Sequence, residues 1–336
     1  MPIHDVLIVG AGPSGLATAI AAKQQGLDYV LVEKDVLVNG IFNFPTHMVF
    51  FTTPELLEIG GLPLVTPYDK PTRLEALRYY RRVVDTYGLQ ISFHERVVEI
   101  EREEGVFVVT TQDAKGTRRA RHARAVVLAI GYYGHPNYLG IPGEDLPHVS
   151  HYYTDPHPYY RQRVVIVGGK NSAAEAALEL FRAGAHVTLV HRRATLGDSI
   201  KYWIRPDIDN RIKAGSIAAR FETRVVEIKP GSVIVEKEGA EDPGREEVPA
   251  EAVFLLTGYR PDVELMRRAG VVCDADTLIP MFDPETFETN VPNLFIAGGA
   301  IAGRLNQGSI FIENGRFHGE SIIRVLSQRL RSEAVP

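Results

Sequence analysis

Residues 6–34 and 164–192 are two copies of one pattern, and no other feature restricts the possible folds so tightly. The first copy reads VLIVGAGPSGLATAIAAKQQGLDYVLVEK and the second VVIVGGKNSAAEAALELFRAGAHVTLVHR. A gapless shift of 158 residues places Val6 on Val164, Ile8 on Ile166, Gly10 on Gly168, Ser14 on Ser172, Gly26 on Gly184 and Val32 on Val190. Each copy runs from an apolar stretch through a glycine turn and an alanine-rich helical stretch to a glycine stop and a second apolar stretch. That order predicts a β-α-β unit in a buried parallel sheet. A further pair, AVVLAIGYYGHP (125–136) and AVFLLTGYRPD (252–262), puts a strand before a Gly-Tyr turn in each half. With 336 residues, about two domains are expected.

The first glycine turn, Gly10-Ala11-Gly12-Pro13-Ser14-Gly15, fits GxGxxG directly after a strand. Gly10 permits the tight turn, Gly12 lets backbone approach a pyrophosphate, and Gly15 lets helix and strand pack closely. The helix N-terminus offers unpaired N–H groups to phosphates. Glu33 ends the second strand, where a carboxylate can accept both hydroxyl hydrogens of an adenosine ribose. In the second copy His191 stands at that place, followed by Arg192 and Arg193. Two guanidinium groups suit a 2′-phosphate; at roughly 1.5–3 kcal/mol per charge-assisted bond they favour NADP over NAD by ~10²–10⁴-fold. Lys170 stands where Gly12 does in the first copy. It either holds backbone off the pyrophosphate or adds a charge to it, and both readings stay open. An acid-ended and an arginine-ended site together predict FAD in the first unit and NADPH in the second. The fold class is α/β, with two Rossmann-like dinucleotide-binding domains.

Between the units, residues 39–72 are rich in Phe, Pro and Thr and read as an irregular connection over a cofactor or substrate. Thr72 with Glu75 forms a capping box for a helix to Tyr87, with Leu74, Leu77 and Val84 near helical spacing. Residues 91–110 and 220–238 alternate as strands, and the proline-bearing stretch 134–160 reads as the crossing between domains. The NADPH domain is therefore expected as an insertion: 1–150 and 276–336 for FAD, 151–275 for NADPH.

Several function classes are excluded. Net charge is −5 with both signs interspersed, so no clustered basic surface for nucleic acid is expected. No apolar run approaches the ~20 residues that span a bilayer, and no signal peptide precedes Val6, so a cytoplasmic protein is expected. Cys273 is the only cysteine, which rules out an internal disulfide; it reads as a buried small hydrophobe, with an intermolecular disulfide as the alternative. His148, His151 and His157 with Asp155 lack a metal-ligand spacing, so no metal is expected. His47 faces either the flavin or the incoming substrate, or is a packed loop histidine. Trp203 is either core or interface, or covers the nicotinamide.

The segments GAGPSG, VVLAIGYYG, VHRR, LLTGYRPD and VPNLFIAGGAIAG occur in the order found in two-dinucleotide-domain flavoproteins, and the chain resembles the thioredoxin reductase-like family over almost its whole length. Within it, NFPTHMVFFTTPELLEIGG (43–61), KPTRLEALRYYRRVV (70–84), GHPNYLGIPGEDLPHVSHYY (134–153) and IFIENGRFHG (310–319) are similar to the YpdA-type bacillithiol disulfide reductases. The resemblance implies FAD contacts at Gly10, Gly12, Pro13, Ser14, Gly15, Glu33, Lys34, Val97, Ala129, Gly131, Gly298 and Ile310. It implies NADPH contacts at Gly168, Gly169, Lys170, Asn171, Ser172, Glu175, His191, Arg192, Arg193 and Gly258. It also brings a helix N-terminus at residues 306–310 to the flavin ring.

Three departures from the family matter. Tyr152 and Asp155 occupy the places of the thioredoxin reductase CxxC. Ser14 replaces the cysteine that YpdA-type proteins commonly carry beside the flavin, and Gly298-Gly299 replaces a Gly-Asp pair. No catalytic residue is assigned; Ser14 and His47 are the candidates. The expected activity is electron transfer from NADPH through FAD to a small-molecule disulfide such as bacillithiol disulfide, directly or through the thiol of a small redox protein. A ferredoxin- or flavodoxin-NADP reductase and a non-catalytic flavin redox sensor are the alternatives, and a homodimer or higher homo-oligomer is expected.

Overall fold

The computed structural model describes residues 2–239, 244–303 and 311–333. It divides into two compact units: Met1–Asn43, Met48–His135 and Tyr259–Pro336 form one, Phe44–His47 and Pro136–Gly258 the other.

The first unit is built on a seven-stranded sheet ordered Ile91–Ser92, Tyr29–Val32, Ile3–Val9, Arg118–Leu128, Val106–Asp113, Glu95–Glu103, with Leu294–Ile296 also on Arg118–Leu128. The strands around the first glycine turn are parallel, while Glu95–Glu103, Val106–Asp113 and Arg118–Leu128 form an antiparallel meander. Leu7, Ile8, Leu31, Leu128 and Phe295 are fully buried in this sheet, each contributing roughly 1.5–3 kcal/mol by leaving water. The helix Pro13–Gln24 is buried along nearly its whole length, from Gly15 to Ala22, so its sequence is apolar all round rather than amphipathic.

The second unit has an all-parallel five-stranded sheet, Ala218–Phe221, His186–His191, Arg163–Val167, Ala252–Leu255, Val149–Ser150. Thr223–Lys229, Ser232–Lys237 and Arg245–Pro249 form a separate antiparallel sheet. The helix Asn171–Arg182 buries Ala173, Ala174, Ala176, Ala177, Leu178 and Leu180.

The repeat holds at the level of register. Val6 pairs with Tyr29 and Val9 with Val32; at the same offsets Val164 pairs with Val187 and Val167 with Val190. Ala125 lies opposite Val6, and Ala252 opposite Val164. The fold is thus the expected pair of Rossmann-like units.

The breaks fall after His135 and Gly258, rather than after 150 and 275. Val149–Ser150 belongs to the second sheet because it pairs with Val253 and Phe254. The helix Val263–Arg268 and Cys273 belong to the first unit, where Val263, Leu265, Met266 and Val271 join the core of Leu7, Val97 and Phe107. The helix Arg73–Tyr87 has its capping box on Thr72 and Glu75 as expected. Its buried face is Ala76, Tyr79, Tyr80 and Val83, however, and Leu74 is exposed. The tyrosine hydroxyls supply the reason: Tyr80 donates to Leu57 O (2.9 Å) and Tyr79 to Leu62 O (2.8 Å), tying the irregular segment to the helix.

Candidate functional site

In the first unit the chain turns from strand to helix at Gly10, whose φ is +103°. A Cβ there would lie 2.5 Å from Ala129 O, and one on Gly15 would lie 1.9 Å from Gly10 O. Both positions are therefore closed to any side chain. A Cβ on Gly12 would meet nothing within 4 Å, so the backbone there borders open space. Gly12 caps the helix Pro13–Gln24 and Pro13 opens it, leaving the first-turn amides of Ser14 and Gly15 without helical acceptors. This is a cradle that fits a dinucleotide pyrophosphate.

Glu33 is buried, and both its oxygens already accept backbone hydrogens: Oε2 from Ala11 N–H (2.8 Å) and Oε1 from Asp35 N–H (3.0 Å). Each carboxylate oxygen retains further acceptor capacity, so Glu33 both fixes the loop and remains able to receive ribose hydroxyls. Burial raises its pKa, with the two backbone bonds acting the other way. Beside it a cleft of about 410 Å³ is lined by Asp35, Val36, Asn39, Phe42, Asn43 and His94. Lys34 Nζ would lie 3.0 Å from a Cβ on Gly134, and Val97 lies buried in the meander.

The turns after Leu128 and Ile296 close the same strand edge. A Cβ on Gly299 would lie 3.7 Å from Gly131 Cα, and one on Gly298 would lie 2.3 Å from Ser14 Oγ. Gly10, Gly12, Ser14, Gly15, Glu33, Ala129, Gly131 and Gly298 are thus brought together at the carboxyl ends of parallel strands, where nucleotides bind in such sheets. Ile310 and residues 306–309 lie outside the described residues.

The second unit repeats the strand–turn–helix but fills it differently. A Cβ on Gly169 would lie 2.3 Å from the His191 ring, so the imidazole packs directly on the turn. His191 is held towards its neutral form by burial and then by the charges of Arg192 and Arg193. Both arginines are exposed, and among the described residues no carboxylate pairs with either. Lys170 is the exposed N-cap of Asn171–Arg182. Gly258, with φ +94°, accepts from Asn137 N–H (2.9 Å).

Asn171 and Glu175 are engaged within the protein. Asn171 Nδ2 donates to Ser199 O and its Oδ1 accepts from Lys201 N–H, both at 2.8 Å. Glu175 pairs with the buried Lys201 at 2.7 Å. Gly197 N–H donates to Gly169 O (2.7 Å), so residues 197–201 are strapped to the glycine turn. Trp203 is half-buried, with Lys201 Nζ 5.7 Å from its ring centre.

His47 is exposed and belongs to the second unit, where its neighbour Thr46 donates through N–H to Thr154 O (2.8 Å). Ser14 belongs to the first. Among the described residues no group of three or more His, Cys, Asp or Glu could hold a metal ion. Burial raises the thiol pKa of Cys273, which packs against the first unit's core. Sequence reasoning missed Lys201, and also His318, whose Nδ1 accepts from Gly298 N–H. Both partners sit tens of residues away or across a turn, where no spacing rule marks them.

Two glycine turns on parallel strands, one ending in a buried acid and the other in two exposed arginines, define a two-nucleotide oxidoreductase. The chain belongs to the pyridine nucleotide-disulphide oxidoreductase family, whose model matches residues 7–298, and its cofactors are FAD and NADPH. It is similar to the bacilliredoxin reductase Bdr of Bacillus subtilis (strain 168), 42% identical over 97% of this chain and 98% of that one. Solved structures of the bacillithiol disulfide reductase Bdr (YpdA) are also close. That from Bacillus cereus has TM-score 0.93 and 39% identity over 98% of this chain and 100% of its own. That from Staphylococcus aureus has TM-score 0.90 and 38% identity over 99% and 100%. Thioredoxin reductases share the fold.

Proposed function

We propose that the chain is an NADPH-dependent, FAD-containing disulfide reductase that passes electrons to bacillithiol disulfide, directly or through the thiol of a bacilliredoxin-like protein. The observation that carries this reading is the pair of β-α-β units in identical register, one closed by Glu33 and the other by Arg192 and Arg193. Full-length similarity to the Bacillus and Staphylococcus proteins supports the acceptor. When bound, the flavin supplies two-electron chemistry between a nicotinamide and a disulfide.

The chain's own work is binding and orientation. Gly12 and the first-turn amides receive the FAD pyrophosphate, and Glu33 receives the adenosine ribose. Lys34, Val97, Ala129, Gly131 and Gly298 complete that site. In the second unit residues 168–172 receive the NADPH pyrophosphate, Arg192 and Arg193 the 2′-phosphate, and the 197–201 strap holds the turn in place. Gly258 is assigned to the same site. Ser14 cannot form a mixed disulfide, and Cys273 is half-buried with a raised pKa, so the reducible bond belongs to the substrate or to a partner's thiol. A cytoplasmic homo-oligomer with an insertion-type NADPH domain fits the same reading. No helix among the described residues is long and apolar enough to cross a membrane.

The test is anaerobic reduction of the purified holoprotein. NADPH is expected to bleach the flavin far faster than NADH does. Protein isolated without flavin, or flavin that NADPH leaves oxidised, overturns the reading. Reoxidation by ferredoxin alone transfers the chain to the ferredoxin-NADP reductases.

A further inference from the structure

The Gly298 turn is held by a residue that the reading above does not use. His318, at the start of the helix His318–Glu333, is 7% exposed, and its Nδ1 accepts the Gly298 N–H at 3.1 Å. Its ring stacks on Phe287, with centroids 4.1 Å apart and planes 18° apart. Phe287 O in turn accepts from Ile296 N–H (2.9 Å), two residues before the turn. Gly298 has φ +65°, a conformation glycine tolerates best. A Cβ on Gly315 would lie 2.9 Å from Gly298 Cα and 3.0 Å from Ser14 Oγ, and one on Gly319 would lie 2.6 Å from Thr18 Cα. Ser14, Gly298 and Gly315 therefore meet with no room for adjustment, and the imidazole nitrogen is the polar group that receives the Gly298 N–H.

We propose that His318 is a positioning residue of the flavin site, fixing the Gly298 amide so that the turn abuts Ser14 of the first glycine loop. The role requires a bare Nδ1, hence a neutral ring. Burial supports this by pushing the His318 pKa down to about 4. The inference rests on the assignment of the first unit to FAD.

The test compares His318→Leu with His318→Asn, whose Oδ1 stands where Nδ1 does. Loss of the acceptor leaves a buried N–H unpaired, so the Leu variant is expected to bind FAD roughly tenfold or more weakly. The Asn variant is expected to stay within about threefold of the parent, because its amide oxygen still accepts. Melting of each apoprotein reads folding separately. Parent-like FAD affinity in the Leu variant overturns the proposal. So does an Asn variant as weak as the Leu variant, which also decides the matter if the Leu variant does not fold. A parent protein that holds no FAD at all fails the functional reading instead.

Discussion

Arg192 and Arg193 stand apart from four other arginines of the second unit. Arg182, Arg205, Arg211 and Arg220 are held by Asp207, Asp209 and Glu246, whereas the two arginines after His191, to which we assign the 2′-phosphate, are exposed. Replacing both with alanine is expected to raise KM for NADPH by roughly 10²-fold or more while leaving KM for NADH nearly unchanged. Steady-state kinetics with the two nucleotides measures this, and equal losses for both would place the arginines elsewhere in the chemistry. The sequence points to these two residues because the repeat sets His191 on Glu33 and they follow it directly. Lys170 is less legible, since a side chain at an N-cap has no pattern that fixes its direction. His318 was hidden for another reason: a hydrogen bond between a helix start and a turn 20 residues earlier follows no periodicity.

Among the elements, the meander beside the first glycine turn is pinned by a pair whose carboxylate is buried and whose guanidinium is half-buried. Arg121 Nε and Nη2 fork onto Glu95 Oε1 and Oε2, both at 2.7 Å, and Glu95 is 6% exposed. Glu95 N–H also donates to Glu33 O (2.9 Å), which links the meander to the end of the strand Tyr29–Val32. Burial pushes the Glu95 pKa up, but hydrogen bonds from Arg121 and Thr111 outweigh it and the value ends below the usual carboxylate range. The pair's stabilisation is therefore present above the unfolded carboxylate pKa and lost as pH falls through the lowered folded value. Arg121→Ala is expected to cost about 3–5 kcal/mol at pH 7. Urea titrations should show that gap shrinking on acidification; a gap independent of pH would contradict the assignment.

The helix Arg73–Tyr87 makes a second point at this scale. Its cap was legible because Thr72 and Glu75 have a fixed spacing, but its buried face was not. Leu74, Leu77 and Val84 are the more hydrophobic residues, yet the tyrosines go inward because their hydroxyls satisfy carbonyls of the 57–62 segment. Tyr80→Phe, which leaves Leu57 O unpaired in the interior, is expected to lower stability by about 1–3 kcal/mol. Denaturant midpoints at constant slope would check it.

For the whole molecule, the duplication was the most legible feature, because register in a parallel sheet is dictated by its hydrophobic run and the two runs match residue for residue. The unit limits were less legible. Val149–Ser150 is only two residues long and joins its sheet through Val253 and Phe254, and a strand that short carries no sequence signal. The acceptor is the least legible part, since with Ser14 and no CxxC the chain keeps no thiol that would write the substrate's chemistry into its own sequence. The most direct test is anaerobic turnover with NADPH and bacillithiol disulfide, with and without a bacilliredoxin, counting thiols released against NADPH oxidised. Two thiols per NADPH, under either condition, is the result expected of a disulfide reductase. NADPH oxidation that releases no thiol under both conditions, while ferredoxin is reduced, would contradict the account.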